Sequence, residues 1–153
     1  MDLDHRYAVR VTWTGNTGSG TSSYRGYSRD NTIAAEGNPD ILASSDRTFH
    51  GSAERWNPEE LLVAALSECH MLSYLHSAVR HGVVVEEYVD DATGEMRTSG
   101  QGGAFTSVTL RPRVRISAGD SDVALRIHAE ASANCFIAAS VNFPVHHEPV
   151  IER

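Results

Sequence analysis

The stretch Asn57-Pro-Glu-Glu-Leu-Leu-Val-Ala-Ala-Leu-Ser-Glu-Cys-His-Met-Leu-Ser-Tyr-Leu-His76 constrains this chain more than any other. Asn57 can cap a helix, and Pro58 suits the first helical position, where no amide hydrogen is needed. Glu60 stands three residues after the cap, the spacing of a capping box. An uncharged apolar run from Leu61 to Leu66 follows, and the helical spacing continues through Leu72 and Leu75. Gly82 is a suitable left-handed stop. The pattern predicts a helix from Pro58 to Arg80. Its first two turns are apolar nearly all round, so the helix should be buried on most sides. One sheet cannot easily cover it, which points to cover from a second subunit.

The chain has 153 residues, the size of a single domain spanning 1–153. A chain of that length buries roughly 70% of its unfolded surface and needs no disulfide or metal to fold. Twenty acidic and 13 basic residues leave a net charge of -7, which weighs against nucleic acid as a partner. No apolar run approaches the length of a membrane span. Met1-Asp-Leu-Asp-His-Arg6 is polar and acidic, unlike a secretory signal. A cytoplasmic protein without a membrane partner is the expectation.

There are two cysteines, Cys69 and Cys135. In a reducing cytosol they are either inert core residues or a working redox pair, since a structural disulfide is disfavoured. No Cys-x-x-Cys is present, which excludes a thioredoxin-type motif and a zinc knuckle.

Tyr7 to Trp13 alternates and reads as a strand. Gly15 to Gly20 reads as a turn and Thr21 to Arg29 as a returning strand, together an N-terminal hairpin. Ile33 to Ala35 is a short third strand, and Gly37 to Trp56 a long loop. After the helix, Val83 to Val89 is a strand, and Asp90 to Gly103 holds turns at Thr93-Gly94 and Gly102-Gly103. Val108 to Ile116 reads as one strand. Val108, Leu110, Val114 and Ile116 lie on one face, Thr109, Arg111, Arg113 and Arg115 on the other, and Pro112 calls for an edge or bulge. The arginine row reads as a solvated face. Ser121 to Ala131 is a second helix, and Cys135 to Val141 a short buried helix opening at the cysteine. Val145 to Ile151 is a last extended piece.

Chemistry-bearing residues are few. A helix start at Cys135 would favour thiolate through the dipole and free N–H groups. Cys69 lies mid-helix, where apolar burial raises a thiol pKa unless a cation is near. Arg25 and Arg29 can serve as that cation, as electrostatic stabilisers and not as bases. For either cysteine a plain core role, and for either arginine a solvated strand face, competes with these readings. Eight histidines offer no i, i+4 pair on the helix and no His-Glu-x-x-His, so no metal site is expected. His146 and His147 point to opposite faces of an extended piece. Gly18-Ser-Gly20 lacks the further glycine and following helix of a phosphate loop.

Asn57-Pro58-Glu59-Glu60-Leu61 followed by Ala64-Ala65 and Cys69, with a second cysteine late in the chain, resembles the OsmC/Ohr family. These are the osmotically inducible and organic hydroperoxide resistance proteins. Trp13-x-Gly15 with Gly18-x-Gly20-Thr21 is similar to the N-terminal hairpin of the OsmC-like branch. The resemblance runs through nearly the whole chain in the same order. It implies an α+β fold with an N-terminal hairpin sheet, a long buried central helix, a second sheet and short C-terminal helices, built as an intertwined homodimer. The implied activity is that of a thiol peroxidase acting on organic hydroperoxides, with fatty-acid hydroperoxides as one class. By the same resemblance Cys69 is the peroxidatic cysteine, Cys135 the resolving one, and Glu59 the partner of the active-site arginine. It implies no resident cofactor, only an external dithiol reductant.

Three departures separate this chain from the family pattern. The turn that usually carries the arginine holds Asn16-Thr17, so Arg25 or Arg29 must stand in. Cys135-Phe-Ile-Ala replaces Cys-Pro-Val-Ser, and Glu68 replaces a small residue before Cys69. A straight helix also puts Glu59 about 15 Å along the axis from Cys69. A family member that binds an apolar ligand with little peroxidase activity is the alternative expectation. A Cys–His hydrolase acting through Cys69 is a third.

Overall fold

The computed structural model describes residues 3–153; Met1 and Asp2, part of the polar N-terminus read above, lie outside the described residues. The chain is an α+β structure of nine strands and two α-helices among those residues. It gathers into two compact units that meet in sequence between Leu61 and Leu62.

The first unit is a three-stranded antiparallel sheet of β1 (Arg10–Trp13), β2 (Asn31–Ala34) and β3 (Ile41–Ala43). Arg10 pairs with Ala34, and Asn31 with Ala43. The N-terminal hairpin forms, but its returning strand is Asn31–Ala34 and not Thr21–Arg29. Thr21 to Ser28 is a series of turns and bends. Arg29 causes much of this, because its guanidinium donates to the carbonyls of Tyr27 at 2.8 Å and Tyr24 at 2.6 Å and folds the segment on itself. At Gly15 the two arms come so close that a β-carbon would meet Ser28 O at 1.8 Å, so only glycine fits. The segment from Gly37 to Trp56 is less of a loop than its composition implies. It contains β3 and a 3-10 turn at Arg47–Phe49 capped by Asp46. Trp56 returns to bond Leu42 and Ser44.

Helix α1 (Pro58–Arg80) has the predicted bounds. The capping box is present in both directions. Glu60 N–H donates to Asn57 Oδ1 at 2.8 Å, and Asn57 N–H donates to Glu60 Oε2 at 3.3 Å. Gly82 is left-handed, with φ 69°.

The second unit carries most of α1, then β4 (Val84–Asp90), β5 (Thr93–Ser99), β6 (Gly102–Leu110), β7 (Pro112–Ala118), α2 (Ser121–Ala133), β8 (Val145–His147) and β9 (Val150–Glu152). The strands form two sheets, β4-β7-β9 and β5-β6-β8, where one sheet was expected. The turn expected at Thr93-Gly94 is the start of β5. The single strand expected over Val108 to Ile116 divides at Arg111, and its halves join different sheets. Asp90 Oδ1 takes the Arg111 amide at 2.6 Å, which removes that N–H from any ladder. Pro112 opens β7 at the break.

Two apolar clusters fill this unit. Tyr74 and Ala78 of α1 pack with Val114 and Ile116 of β7 and with Ala124, Ile127 and Ala131 of α2. Leu66 packs with Val108 and Leu110 of β6. The same four alternating residues that looked like one strand are thus buried in two cores. The arginine row lies outward in ion pairs: Arg111 with Glu148 at 2.8 Å, Arg113 with Asp91 at 2.6 Å, and Arg115 with Glu86 and Glu87. Within one chain α1 is covered on one side only. Leu72 is 56% and Val79 is 79% exposed. No helix of the described residues is long and apolar enough to cross a membrane.

Candidate active site

Cys69 and Cys135 are both free thiols in the second unit. Cys69 is half-buried on α1, and the Glu68 beside it is exposed. Cys135 follows the end of α2 by two residues and is 2% exposed. The short buried helix expected there is a single 3-10 turn, Ala138–Ser140, on a half-buried segment in which Phe136 is 82% exposed. The turn still reaches the sulfur: Ala138 N–H donates to Cys135 Sγ at 3.4 Å.

Cys135 lies close enough to Cys69 for the Cys69 side chain to influence its titration. Burial first, and then the neighbouring Cys69 side chain, push the Cys135 thiol up to about 11. The amides of Ala138 and Ile137 pull the other way and are outweighed. This corrects the expectation of a thiolate-favouring helix start at Cys135, because one short turn supplies too little dipole to offset removal from water. Burial therefore favours the neutral thiol at Cys135. Leu66, one turn before Cys69, shares its apolar cluster with Leu62, Val63, Phe105, Ile137 and Ala138. This apolar wall is built by α1, β6 and the turn after Cys135, and residues adjoining both cysteines in the chain contribute to it.

Glu59, Arg25 and Arg29 belong to the first unit. Glu59 Oε2 is buried with no hydrogen-bond partner among the described residues. Such a carboxylate oxygen is costly unless something positive meets it. Arg29 lies over the rings of Tyr27 at 4.2 Å and Tyr24 at 4.7 Å, besides its two carbonyl bonds. Arg25 is exposed. In the turn where an arginine is missing, Asn16 Oδ1 accepts from the amides of Gly18 and Gly20, so this side chain braces the turn itself.

One group of buried polar residues was missed in the sequence. His70 of α1, His128 of α2 and His147 of β8 stack in the core of the second unit, with His70 Nε2 3.0 Å from His128 Nδ1. The three lie far apart in the chain. The one local hint was His70 with Tyr74, four apart on the same face as Leu66. Among the described residues no three His, Cys, Asp or Glu side chains are arranged to hold a metal ion.

The comparisons with known proteins agree with one another. Residues 50–149 match the family model for OsmC-like proteins. An OsmC-like protein of unknown function from Vibrio cholerae has a solved structure that is 34% identical. That likeness covers 96% of this chain and 100% of that one, with a TM-score of 0.86. An uncharacterised Bacillus subtilis protein, YmaD, is 22% identical over 142 residues, covering 90% of this chain and 87% of its own length. An organic hydroperoxide resistance protein from Legionella pneumophila shares the fold at a TM-score of 0.67 and 14% identity, over 99% of this chain and 100% of its own.

Proposed function

This chain belongs to the OsmC-like protein family, and from that premise we propose that it is a thiol-dependent peroxidase for organic hydroperoxides. One observation carries the reading: a half-buried thiol, Cys69, lies near a second thiol, Cys135, that is buried and whose pKa is raised by burial and by that neighbour. In the proposed reaction the Cys69 thiolate attacks the terminal peroxide oxygen. The O–O bond breaks, Cys69 becomes a sulfenic acid, and the departing alkoxide takes up a proton to leave as an alcohol. The Cys135 thiol then condenses with the sulfenic acid, releasing water and forming the Cys69–Cys135 disulfide. An external dithiol reduces that disulfide by exchange and is itself oxidised. The apolar wall around Leu66 suits a substrate with a hydrocarbon body, such as a fatty-acid hydroperoxide.

Cationic help for the thiolate and the alkoxide would come from Arg25 or Arg29. The unpartnered Glu59 oxygen supports a cation at the start of α1. Leu72 and Val79, seven positions apart on one face of α1 and both exposed, support a homodimer closed over that face. The test is consumption of cumene hydroperoxide in the presence of dithiothreitol. Wild type should turn over and Cys69→Ser should not; equal consumption by the two rules the reading out.

A second reading has its own support. Asn16 fills the turn that lacks an arginine, and two donor groups of Arg29 are occupied by carbonyls within its own loop. A protein with that defect would bind an apolar ligand and reduce peroxides slowly. A lipid retained in native mass spectrometry, together with slow turnover, selects this reading.

A further inference from the structure

The buried histidines take no part in the proposed thiol chemistry, and their arrangement is unusual for a protein core. His70 is 1% and His128 is 3% exposed. Their rings are stacked at 5.3 Å between centroids, His147 packs on His70 at 4.4 Å, and Tyr74 packs on His128 at 4.1 Å. A hydrogen bond between two neutral imidazoles uses one N–H and one lone pair. In either tautomer arrangement the outer nitrogens, His70 Nδ1 and His128 Nε2, present one N–H and one lone pair. Neither has a hydrogen-bond partner among the described residues. The stack is thus joined by ring packing and one bond at 3.0 Å.

We propose that His70, His128 and His147 form an acid-released latch, which joins α1, α2 and β8 while its rings are neutral and opens when they are protonated. The surrounding groups give an imidazolium little compensation. Tyr74 of α1 gives its hydroxyl to the Ala124 carbonyl. Tyr88 and Asp90 come from β4, and His146 lies beside His147 on β8. Asp90 attracts a proton to His147, and His146 repels one. The Asp90 carboxylate is already engaged by Ser67 at 2.5 Å and the Arg111 amide. His70 and His128 feel only burial and other histidines. Once both carry a second proton, two N–H groups oppose each other across the shared bond and it is lost.

Burial first, with neighbouring histidines second, holds His70 down to about 3 and His128 down to about 4. Burial also lowers His147, against the pull of Asp90. Released imidazoles take their proton near 6.5. Between those limits the open state binds more protons than the closed one, so the latch weakens as pH falls below 6.5. Cys69 immediately precedes His70, and α2 leads into Cys135. Opening therefore carries the Cys135 turn away from Cys69, a consequence that matters to catalysis only if the redox-pair reading holds.

The experiment is an acid titration of the full chain from pH 7.5 to 3.5, followed by near-ultraviolet circular dichroism and by imidazole NMR. Neither readout depends on peroxidase activity. The expected result is one cooperative transition below pH 6.5 that takes up at least two protons, with the His70 and His128 resonances moving only in that transition. In a His70→Leu/His128→Leu variant the transition should move at least one pH unit lower. Individual titration of these histidines near 6.5 in the folded protein overturns the proposal, as does an unmoved transition in the variant. If the variant does not fold, the wild-type resonances decide alone.

Discussion

The Ala138 amide lies 3.4 Å from the sulfur of Cys135, yet burial and the neighbouring Cys69 keep that sulfur protonated. The two cysteines of this chain therefore differ in kind: one is half-buried and reachable, and the other is buried. Labelling should show the difference. In the native protein at pH 8, iodoacetamide should modify Cys69 well before Cys135, and unfolding in urea should abolish the preference. Peptide mapping by mass spectrometry reads the order directly. Faster labelling of Cys135 contradicts this view of the pair.

The entry into α1 should be separable from the chemistry. Replacing Asn57 with Ala removes the acceptor that Glu60 N–H uses and should cost about 1 kcal/mol of stability. Urea unfolding at pH 7 measures this through a lower midpoint with an unchanged slope. Asn57→Asp should retain most of the stability, because its carboxylate can accept the same bond and suits the positive end of the helix.

Leu66 tests the second core. It is buried against Val108 and Leu110 and stands one turn from Cys69. Leu66→Ala should cost about 3 kcal/mol by leaving a cavity. Loosening this wall should also reduce the advantage of bulky apolar hydroperoxides over hydrogen peroxide in kcat/KM. A stability loss with unchanged substrate preference means that this wall does not hold the substrate.

The sequence was most informative where local chemistry and tertiary packing agreed. Asn57, Pro58, Glu60 and Gly82 bound α1 through backbone needs that any surroundings would impose. Strand β5, Thr-Gly-Glu-Met-Arg-Thr-Ser, was unreadable because all seven of its residues are exposed, so burial imposes no alternation. The break at Arg111 was hidden for the opposite reason: alternation runs unbroken through two strands, and the group that divides them is Asp90, a residue 21 positions away. The segment Thr21 to Arg29 read as a returning strand, but the rings of Tyr24 and Tyr27 instead hold Arg29. Within the candidate site, Cys69 and Cys135 were visible as a pair because they are the chain's two cysteines. The environment of Cys135 was not visible, since it depends on how completely one turn is buried. The histidine stack draws on positions 70, 128 and 147, and no sequence spacing could join them.

Stoichiometric oxidation distinguishes a Cys69–Cys135 redox pair from two independent thiols. Reduced protein, freed of reductant, is mixed with one equivalent of cumene hydroperoxide and analysed by intact-mass and peptide-mapping mass spectrometry. The expected result is loss of two hydrogens per chain, a Cys69–Cys135 cross-link within the chain, and one cumyl alcohol formed for each peroxide consumed. In Cys135→Ser, the same treatment should instead add oxygen at Cys69. Both thiols remaining free while peroxide is consumed, or oxidation at Cys135 with Cys69 untouched, would contradict the redox-pair reading.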